Sequence, residues 1–99
     1  MNWSDLQKEA HEWQKVTFPQ ATIKSKFAHL RSELNEIEQN PNDLEDWADV
    51  ILLYMGAASV AGHTLNEILE ATYKKLEKNK KRKWGKPNKH GYVEHLKNE

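Results

Sequence analysis

The sequence predicts an all-α protein, an antiparallel bundle of about four helices that is completed by oligomerisation. Apolar residues recur at three- and four-residue intervals over four segments, and Gly or Pro follows each of them. Ser, Thr or Asn, with Glu or Gln three residues later, opens three of the segments. Short connections favour antiparallel neighbours. The 99 residues are expected to form one domain, with about 86–99 as a C-terminal tail.

The first two helices have boundaries that can be read from single residues. Ser4 and Gln7 match a capping box, and Pro19 interrupts the chain after the first helix. The second helix is expected from about residue 22 to residue 39, because Pro41 disfavours helix just before it. The predicted apolar stripes are Leu6, Ala10, Trp13 and Val16 on the first helix and Phe27, Leu30, Leu34 and Ile37 on the second.

The third helix, from a capping box at Asn42 and Glu45 to Gly62, is apolar on nearly every side. Because a surface helix of a monomer should carry one apolar face, we expect a second chain to cover the remainder. A central helix buried within one chain is the alternative. The face predicted to pack inside the chain is Leu44, Trp47, Val50, Ile51, Tyr54 and Ala58, and the residues left for a partner are Leu52, Leu53, Met55 and Val60.

Composition excludes several classes of protein. The chain has no Cys, which excludes disulfides and thiolate zinc sites. Its first 15 residues are charged throughout and lack the apolar stretch of a signal peptide. The longest apolar run, about residues 50–61, is well below the ~20 residues of a membrane span. We expect a cytoplasmic protein without a membrane partner, from a bacterium or a phage-infected host cell.

The fourth helix carries most of the positive charge. Thr64 with Glu67 caps it, and it is expected to continue to about Lys83. Residues 74–89 hold nine Lys or Arg against the single acid Glu77, although the chain as a whole is neutral. On charge alone, this stretch is typical of a solvated or nucleic-acid-binding helix end. Beside a metal site, the same cations would hold phosphates.

Seven acidic residues, and no Lys or Arg, lie from Glu33 to Asp49. Glu33 and Glu36 are one turn apart on the second helix, as are Asp46 and Asp49 on the third. If these helices pack antiparallel, the four carboxylates meet near the connecting turn. Asp49 is then expected at the boundary between the buried interior and the solvent. They would repel one another unless a hard divalent cation such as Mg²⁺ or Mn²⁺ lies between them. The acids interpreted as ordinary solvating residues are Glu38, Asp43 and Glu45.

The segments "HLRSELNEI", "DLEDWADVILL" and "KLEKNKKRKWG" resemble the MazG-like all-α nucleoside triphosphate pyrophosphohydrolases. The closest likeness is to the short, phage-type branch of dATP/dGTP diphosphohydrolases, over about residues 17–95. The family pattern is Glu-x-x-Glu on one helix and Glu-x-x-Asp on the next. Glu33 and Glu36 match the first half, whereas Asp46 stands where Glu is usual. Spacing alone leaves Glu45 open as the third ligand, but its expected cap with Asn42 favours Asp46.

The resemblance implies an enzyme and a set of roles. It implies Mg²⁺-dependent hydrolysis of a (deoxy)nucleoside triphosphate between the α and β phosphates, with Mn²⁺ as an alternative ion and purine deoxynucleotides as substrates. It also implies a homodimer or homotetramer. The implied metal ligands are Glu33, Glu36, Asp46 and Asp49, of which Glu33 and Glu36 would also be catalytic, and the implied substrate-binding residues are Lys75, Asn79 and Arg82.

Two hypotheses from different classes therefore stand at this point. The first is the enzyme, and the second is a small helical module that binds nucleic acid through its basic fourth helix while the acids only solvate. The spacing favours the enzyme, because a solvating run of acids has no reason to be paired at one-turn intervals beside an apolar face. Trp13 and His29 are further candidates for lining a base pocket. The alternatives are core packing for Trp13 and a surface role for His29. Trp84 is interpreted as a packing residue.

Overall fold

The computed structural model describes residues 1–97, and this part of the chain contains four α-helices and no strand. The prediction of an all-α fold is confirmed. The helices are α1 (Trp3–Thr17), α2 (Ile23–Gln39), α3 (Leu44–Ala61) and α4 (Leu65–Lys81). No single helix in the described residues is long and apolar enough to cross a membrane. By length and composition alone, only α3 and α4 taken together, as a bent pair, would be sufficient.

Three of the predicted helix ends are confirmed by their capping geometry. Thr22 caps α2 by accepting a hydrogen bond from the Ser25 backbone N–H at 3.0 Å. Gly62 ends α3 with a φ of 87°, a conformation that glycine adopts without steric cost. Thr64 Oγ1 accepts from the Glu67 N–H at 3.1 Å, and the Glu67 carboxylate accepts from the Thr64 N–H at 3.3 Å.

Two predicted caps are wrong by one or two residues. At α1 the cap is Asn2, whose side chain accepts from the Asp5 N–H at 2.9 Å, and Ser4 lies inside the helix. At α3 the cap is Asp43, whose carboxylate accepts from the Glu45 N–H at 3.0 Å. Asn and Asp are both strong N-caps, so a run of them leaves the first helical residue undecided by local sequence. Glu45 therefore has no capping-box role with Asn42.

The first compact unit, Met1–Ile68, is built on α3, which packs against both α1 and α2. The α2–α3 pair is antiparallel, because Lys26, near the start of α2, faces Gly56, whereas Glu33, further along, faces Asp46. The connecting turn at Pro41 therefore brings the end of α2 beside the start of α3. This arrangement places the acidic residues of both helices at one end of the unit.

The interior of this unit is small and unusually polar. Its buried apolar side chains are Ile37, Met55 and Ala57, and the buried Gln7 and Lys26 lie among the same helices. Gln7 is fully hydrogen-bonded within the unit. Its Nε2 donates to Ser59 Oγ and to the His63 carbonyl, both at 3.0 Å, and its Oε1 accepts from the Leu65 N–H at 2.8 Å. These bonds offset the cost of burying an amide and hold the start of α4 to α1.

The faces that pack inside the chain differ from those predicted. On α3, Met55 is 1% exposed and Gly56 is buried, although both were expected away from the interior face, and Trp47, Ile51 and Tyr54 are exposed. On α2, two of the four predicted residues, Leu30 and Ile37, face inward, whereas Phe27 and Leu34 are exposed. The inward residues of α2 are Ile23, Lys26, Leu30, Glu33 and Ile37. Periodicity cannot decide which face of a largely apolar helix is buried, and small residues such as Gly56 allow the close approach that decides it.

The second compact unit, Leu69–Glu99, contains most of α4 and the segment that follows it. An antiparallel bridge joins Trp84 to His95, and the Gly85 N–H donates to the Glu94 carbonyl at 3.0 Å. Residues 86–97 of the predicted tail therefore fold back on the end of α4, and residues 98–99 lie outside the described residues. That the chain forms one domain stays a prediction, because its contacts group into these two units.

Candidate active site

Carboxylates from two helices meet where the end of α2 lies beside the start of α3. Glu33, Asp46 and Asp49 each present an oxygen atom, and these atoms all lie within 4.8 Å of one another. Glu33 comes from the inward stripe of α2, and the two aspartates are one turn apart on α3. Three oxygen ligands at this separation can surround one hard divalent cation.

Glu33 is the most constrained member of this group. Its side chain is only 12% exposed, and its Oε2 is buried without a hydrogen-bond partner in the part of the chain that the structure describes. Its Oε1 lies 3.3 Å from Nε2 of His29, one turn earlier. Burial, followed by the negative charges of Glu36 and Asp49, raises the pKa of this carboxyl above its ordinary value of 4.5. A buried carboxylate oxygen without a donor is costly, and a cation would satisfy it.

Asp46 is in a similar position on the facing helix. It is half-buried, and its burial raises its pKa above the ordinary value of 3.8, with the nearby charges of Asp43 and Glu36 acting in the same direction. Asp49 is exposed, so the expectation that it would lie at the edge of buried territory is wrong. The two carboxylates that are withdrawn from water are therefore Glu33 and Asp46.

Glu36 lies beside this group but not within it. It is exposed, and it is close enough to raise the pKa of both Glu33 and Asp46. The four predicted ligands thus divide into three converging oxygens and one carboxylate at the rim. A rim carboxylate of this kind can bind a further cation or accept a hydrogen bond from a water molecule.

The predicted substrate-binding residues belong to the second compact unit. Lys75 is exposed on α4, and Asn79 and Arg82 are half-buried at its end. Arg82 Nη1 donates to Asn79 Oδ1 at 3.2 Å, and Trp84 Nε1 donates to the Asn79 carbonyl at 2.9 Å. Trp84 also meets His95 edge-on at 6.1 Å. Trp84 thus caps the end of α4 while 44% of it stays exposed, so its interpretation as a packing residue stays a prediction.

One buried polar residue of α2, Lys26, was missed by sequence reasoning. Lys26 is buried, and its Nζ lies 3.4 Å from Gln14 Oε1. The available signal was its position three residues after Ile23 and four before Leu30, on the inward stripe of α2. Of the two base-pocket candidates, His29 lines a cavity with Lys26 and Gln14, and Trp13 is exposed and packs edge-on against Phe18 at 5.4 Å.

Comparison with known proteins agrees with this geometry. The model of the dATP/dGTP pyrophosphohydrolase family matches residues 6–99. The chain is a member of that family. The enzyme is also similar to a solved structure of a MazG-like pyrophosphohydrolase from cyanophage S-2L, bound to dGDP and three catalytic Mn²⁺ ions per active site. The two are 26% identical, with a TM-score of 0.78 over 97% of this chain and 98% of that chain. No curated protein matches the chain.

These findings confirm the MazG-like assignment made from the three quoted segments and show that the protein is a nucleotide pyrophosphohydrolase. The family match extends over both compact units, so the residues of α4 and of the segment after it belong to the same family pattern as the carboxylates. The enzyme is therefore a hydrolase, and its candidate site contains Glu33 Oε2, which is buried without a hydrogen-bond partner among residues 1–97.

Proposed function

We propose that this enzyme hydrolyses (deoxy)nucleoside triphosphates between the α and β phosphates, with Mg²⁺ as the natural ion and Mn²⁺ as a substitute. One water molecule is consumed, the Pα–O–Pβ bridge breaks, and the products are a (deoxy)nucleoside monophosphate and pyrophosphate. Purine deoxynucleotides are the proposed substrates, since the family is one of dATP/dGTP pyrophosphohydrolases. The observation that carries the proposal is Glu33 Oε2, buried and unpaired beside Asp46 and Asp49.

The donor set fits a hard divalent cation. Glu33, Asp46 and Asp49 offer three carboxylate oxygens within 4.8 Å of one another, and oxygen-only sets of this kind suit Mg²⁺ and Mn²⁺ better than zinc. Glu36 completes the proposed ligand set from the rim. Bound there, the cation would neutralise phosphate oxygens and lower the pKa of a water molecule.

The protein's own residues supply the remaining functions. Glu33 and Glu36 are the proposed catalytic carboxylates, one of which accepts a hydrogen bond from the attacking water and so orients it. Lys75, Asn79 and Arg82 are proposed to contact the phosphates or the sugar, where a positive charge is stabilising. The exposed apolar surface of α3 supports a homodimer or homotetramer, in which helices of two chains complete each site.

A product analysis tests this function. The protein is incubated with each NTP and dNTP and with Mg²⁺ or Mn²⁺, and the products are separated by anion-exchange chromatography. We expect pyrophosphate and the monophosphate from at least one purine deoxynucleotide, and no activity in EDTA. A diphosphate with orthophosphate, or no turnover of any triphosphate, would contradict the proposal. Tight, strongly salt-dependent binding of duplex DNA that is unaffected by nucleotide would favour the nucleic-acid-binding module instead.

A further inference from the structure

A cavity of about 310 Å³ opens between the end of α1, the start of α2 and the middle of α3. Volumes of this order accommodate small ligands, and a purine base with part of its sugar would fit. Its wall combines apolar side chains with polar ones from α1 and α2, Ser25 among them. The wall includes Gln14, Phe18, Ala21, Lys26, His29 and Leu53.

Lys26 is the unusual member of this wall. It is 8% exposed, its Nζ contacts Gln14 Oε1 at 3.4 Å, and it forms no salt bridge within residues 1–97. Lysine is rarely buried unless an acidic group pairs with it, because desolvating the ammonium is costly. One long hydrogen bond to a neutral amide leaves most of its three donors available to a ligand in the cavity.

The backbone of α3 is shaped around this lysine. A Cβ atom at Gly56 would lie 2.6 Å from Gln14 Oε1 and 3.1 Å from Lys26 Nζ. Any residue other than glycine would therefore displace the pair. Gly56 is buried in the middle of a helix, where glycine is otherwise unfavourable by about 1 kcal/mol relative to alanine. The absence of a side chain at Gly56 therefore leaves room for the contact between Gln14 and Lys26.

The cavity lies in line with the carboxylates. Lys26, His29 and Glu33 are spaced by three and four residues and share one side of α2. Seven residues of helix separate Lys26 from Glu33 by about 10 Å along the axis. His29 lies between them, lining the cavity and contacting Glu33 Oε1 at 3.3 Å. A nucleotide with its phosphates at the carboxylates would extend its sugar past His29 and its base toward Lys26.

We propose that Lys26 reads the base of the substrate and selects guanine over adenine. The inference rests on the proposed function, since it requires the phosphates to lie at Glu33, Asp46 and Asp49. An ammonium group only donates hydrogen bonds. Guanine presents two acceptors, O6 and N7, on one edge, whereas adenine presents an amino donor in place of O6. Guanine can therefore offer the buried cation two acceptors, whereas adenine offers N7 alone and places its amino donor beside the cation.

A substrate panel tests the inference on the unaltered enzyme. The value of kcat/KM for pyrophosphate release is measured with dGTP, dITP, dATP and the 2-aminopurine deoxynucleoside triphosphate. Hypoxanthine keeps O6 without the 2-amino group, and 2-aminopurine keeps the amino group without O6. We expect dGTP and dITP to exceed the other two by roughly 10-fold or more, as for one hydrogen bond to a charged group. Equal kcat/KM values for the four substrates would overturn the inference. So would higher values for the two substrates that carry a 2-amino group than for the two that lack it.

The variant Lys26→Met removes the ammonium and keeps most of the side-chain volume. We expect it to lower kcat/KM for dGTP and dITP by roughly 10-fold or more and to leave dATP unchanged or improved. Lys24→Met, an exposed lysine two residues earlier, is the matched control and should retain the selectivity of the parent. Calorimetric binding of the products dGMP and dAMP, with Mg²⁺ present, gives a readout that does not depend on turnover.

The outcomes separate this inference from the proposed function. If the parent enzyme releases pyrophosphate from no triphosphate, the proposed function fails. If it does so and Lys26→Met keeps the parent preference for dGTP over dATP, only the role of Lys26 fails. Should circular dichroism show that Lys26→Met is unfolded, the substrate panel on the parent enzyme decides alone.

Discussion

Asp46 and Glu45 are adjacent carboxylates at the start of α3, and both stand near the family position that usually holds Glu. The sequence argument gave Glu45 a capping role, which the structure assigns to Asp43. What distinguishes the two is burial and convergence. Asp46 is half-buried and presents an oxygen within 4.8 Å of Glu33 and Asp49, whereas Glu45 is exposed and outside that group. We therefore retain Asp46 as the proposed ligand on different grounds.

Exchanging these two carboxylates for amides tests the assignment. Asp46→Asn keeps the shape and removes the ligand charge, so we expect pyrophosphate release to fall by about 100-fold or more, at least the loss seen for residues that only support a ligand. Glu45→Gln should remain within a few-fold of the parent, with an unchanged melting temperature. Mn²⁺ titration followed by electron paramagnetic resonance should show weaker binding only for Asp46→Asn. An inactive Glu45→Gln with an active Asp46→Asn would place Glu45 in the metal shell.

The raised pKa of Glu33 makes the stability of the metal-free enzyme depend on pH. Below its ordinary value of 4.5, the carboxyl is protonated in the folded and unfolded states alike. Above it, the unfolded chain loses the proton first, so the free energy of unfolding falls as pH rises through the folded-state pKa. The pKa of Asp46 is also raised, so Asp46 changes the stability in the same direction. The imidazole of His29 acts against the rise in the pKa of Glu33.

We therefore expect Glu33→Gln to raise the melting temperature of the chelated protein at pH 8, and to make its fall between pH 5 and pH 8 shallower. The variant should lose activity, because the buried ligand is gone. Glu38→Gln, an exposed acid on the same helix, is the control and should follow the parent curve. Melting curves in EDTA measure this. A Glu33→Gln variant less stable than the parent at pH 8 would show that the ionised carboxylate is favourable without a cation.

At the scale of a helix, α2 shows why apolar periodicity alone misplaced the interior. Its inward stripe contains Lys26 and Glu33 between three apolar residues, so the polar members conceal the pattern. The prediction shared Leu30 and Ile37 with this stripe but took the apolar Phe27 and Leu34, each one position and about 100° around the helix from Lys26 and Glu33. Both polar positions now carry a proposed role, Glu33 in metal binding and Lys26 in base selection. The deviation from a plain core pattern was therefore the informative feature.

Gly56 gives a prediction for α3. Alanine there gains about 1 kcal/mol of helix propensity, but it displaces the hydrogen bond of a buried charged group, which is worth about 1.5–3 kcal/mol. We expect Gly56→Ala to fold, to lose roughly 1 kcal/mol of unfolding free energy in urea, and to discriminate less between dGTP and dATP. Gly85→Ala, where the added Cβ meets its nearest atoms at an ordinary 3.5 Å, is the control. A Gly56→Ala variant that is more stable and equally selective would contradict this reasoning.

The prediction for α4 concerns its exposed lysine. Lys75→Ala should raise KM for dGTP or lower kcat by roughly 10-fold, the scale of a hydrogen bond between charged groups, without changing the melting temperature. Lys74→Ala removes a neighbouring charge from a different face of the helix, where its partner is Glu70 at 3.7 Å, and should have little effect. Arg82→Ala is less informative, because Arg82 also bonds Asn79. Equal kinetic effects of the two lysine variants would indicate a general electrostatic contribution.

For the whole molecule, the exposed apolar surface supports an oligomer. The residues that form this surface differ from those predicted, because Met55 is buried within one chain and Leu53 is half-buried. The large apolar side chains left exposed on α3 are instead Leu44, Trp47, Ile51, Leu52, Tyr54 and Val60. Burying this surface would contribute several kcal/mol at about 25 cal/mol per Å².

Sedimentation velocity at micromolar concentration should therefore give a species of at least twice the 11.6 kDa of one chain. Ile51→Lys, which places a charge in the exposed apolar face of α3, should shift the distribution toward monomer. Lys24→Met, an exposed substitution on another helix, should leave the distribution unchanged. A homogeneous monomer for the parent chain at these concentrations would refute the prediction.

The sequence by itself determined the helices and the spacing of the candidate ligands. Capping residues and the Pro and Gly terminators act over three or four positions, so the helix ends could be read within about two residues. The one-turn spacing of Glu33 with Glu36 and of Asp46 with Asp49 likewise depends on helix geometry alone.

Tertiary structure decided which faces are buried and which acids converge. The choice of Met55 and Gly56 as the inner face of α3, and of Lys26 and Glu33 on α2, follows from packing between helices, to which local periodicity is blind when one helix is apolar on most sides. The same packing places Glu36 outside the three converging carboxylates and leaves Glu33 Oε2 buried without a hydrogen-bond partner among residues 1–97. Burial and convergence depend on neighbours distant in sequence, and together they distinguish the Glu33, Asp46 and Asp49 group from the other acids of these helices.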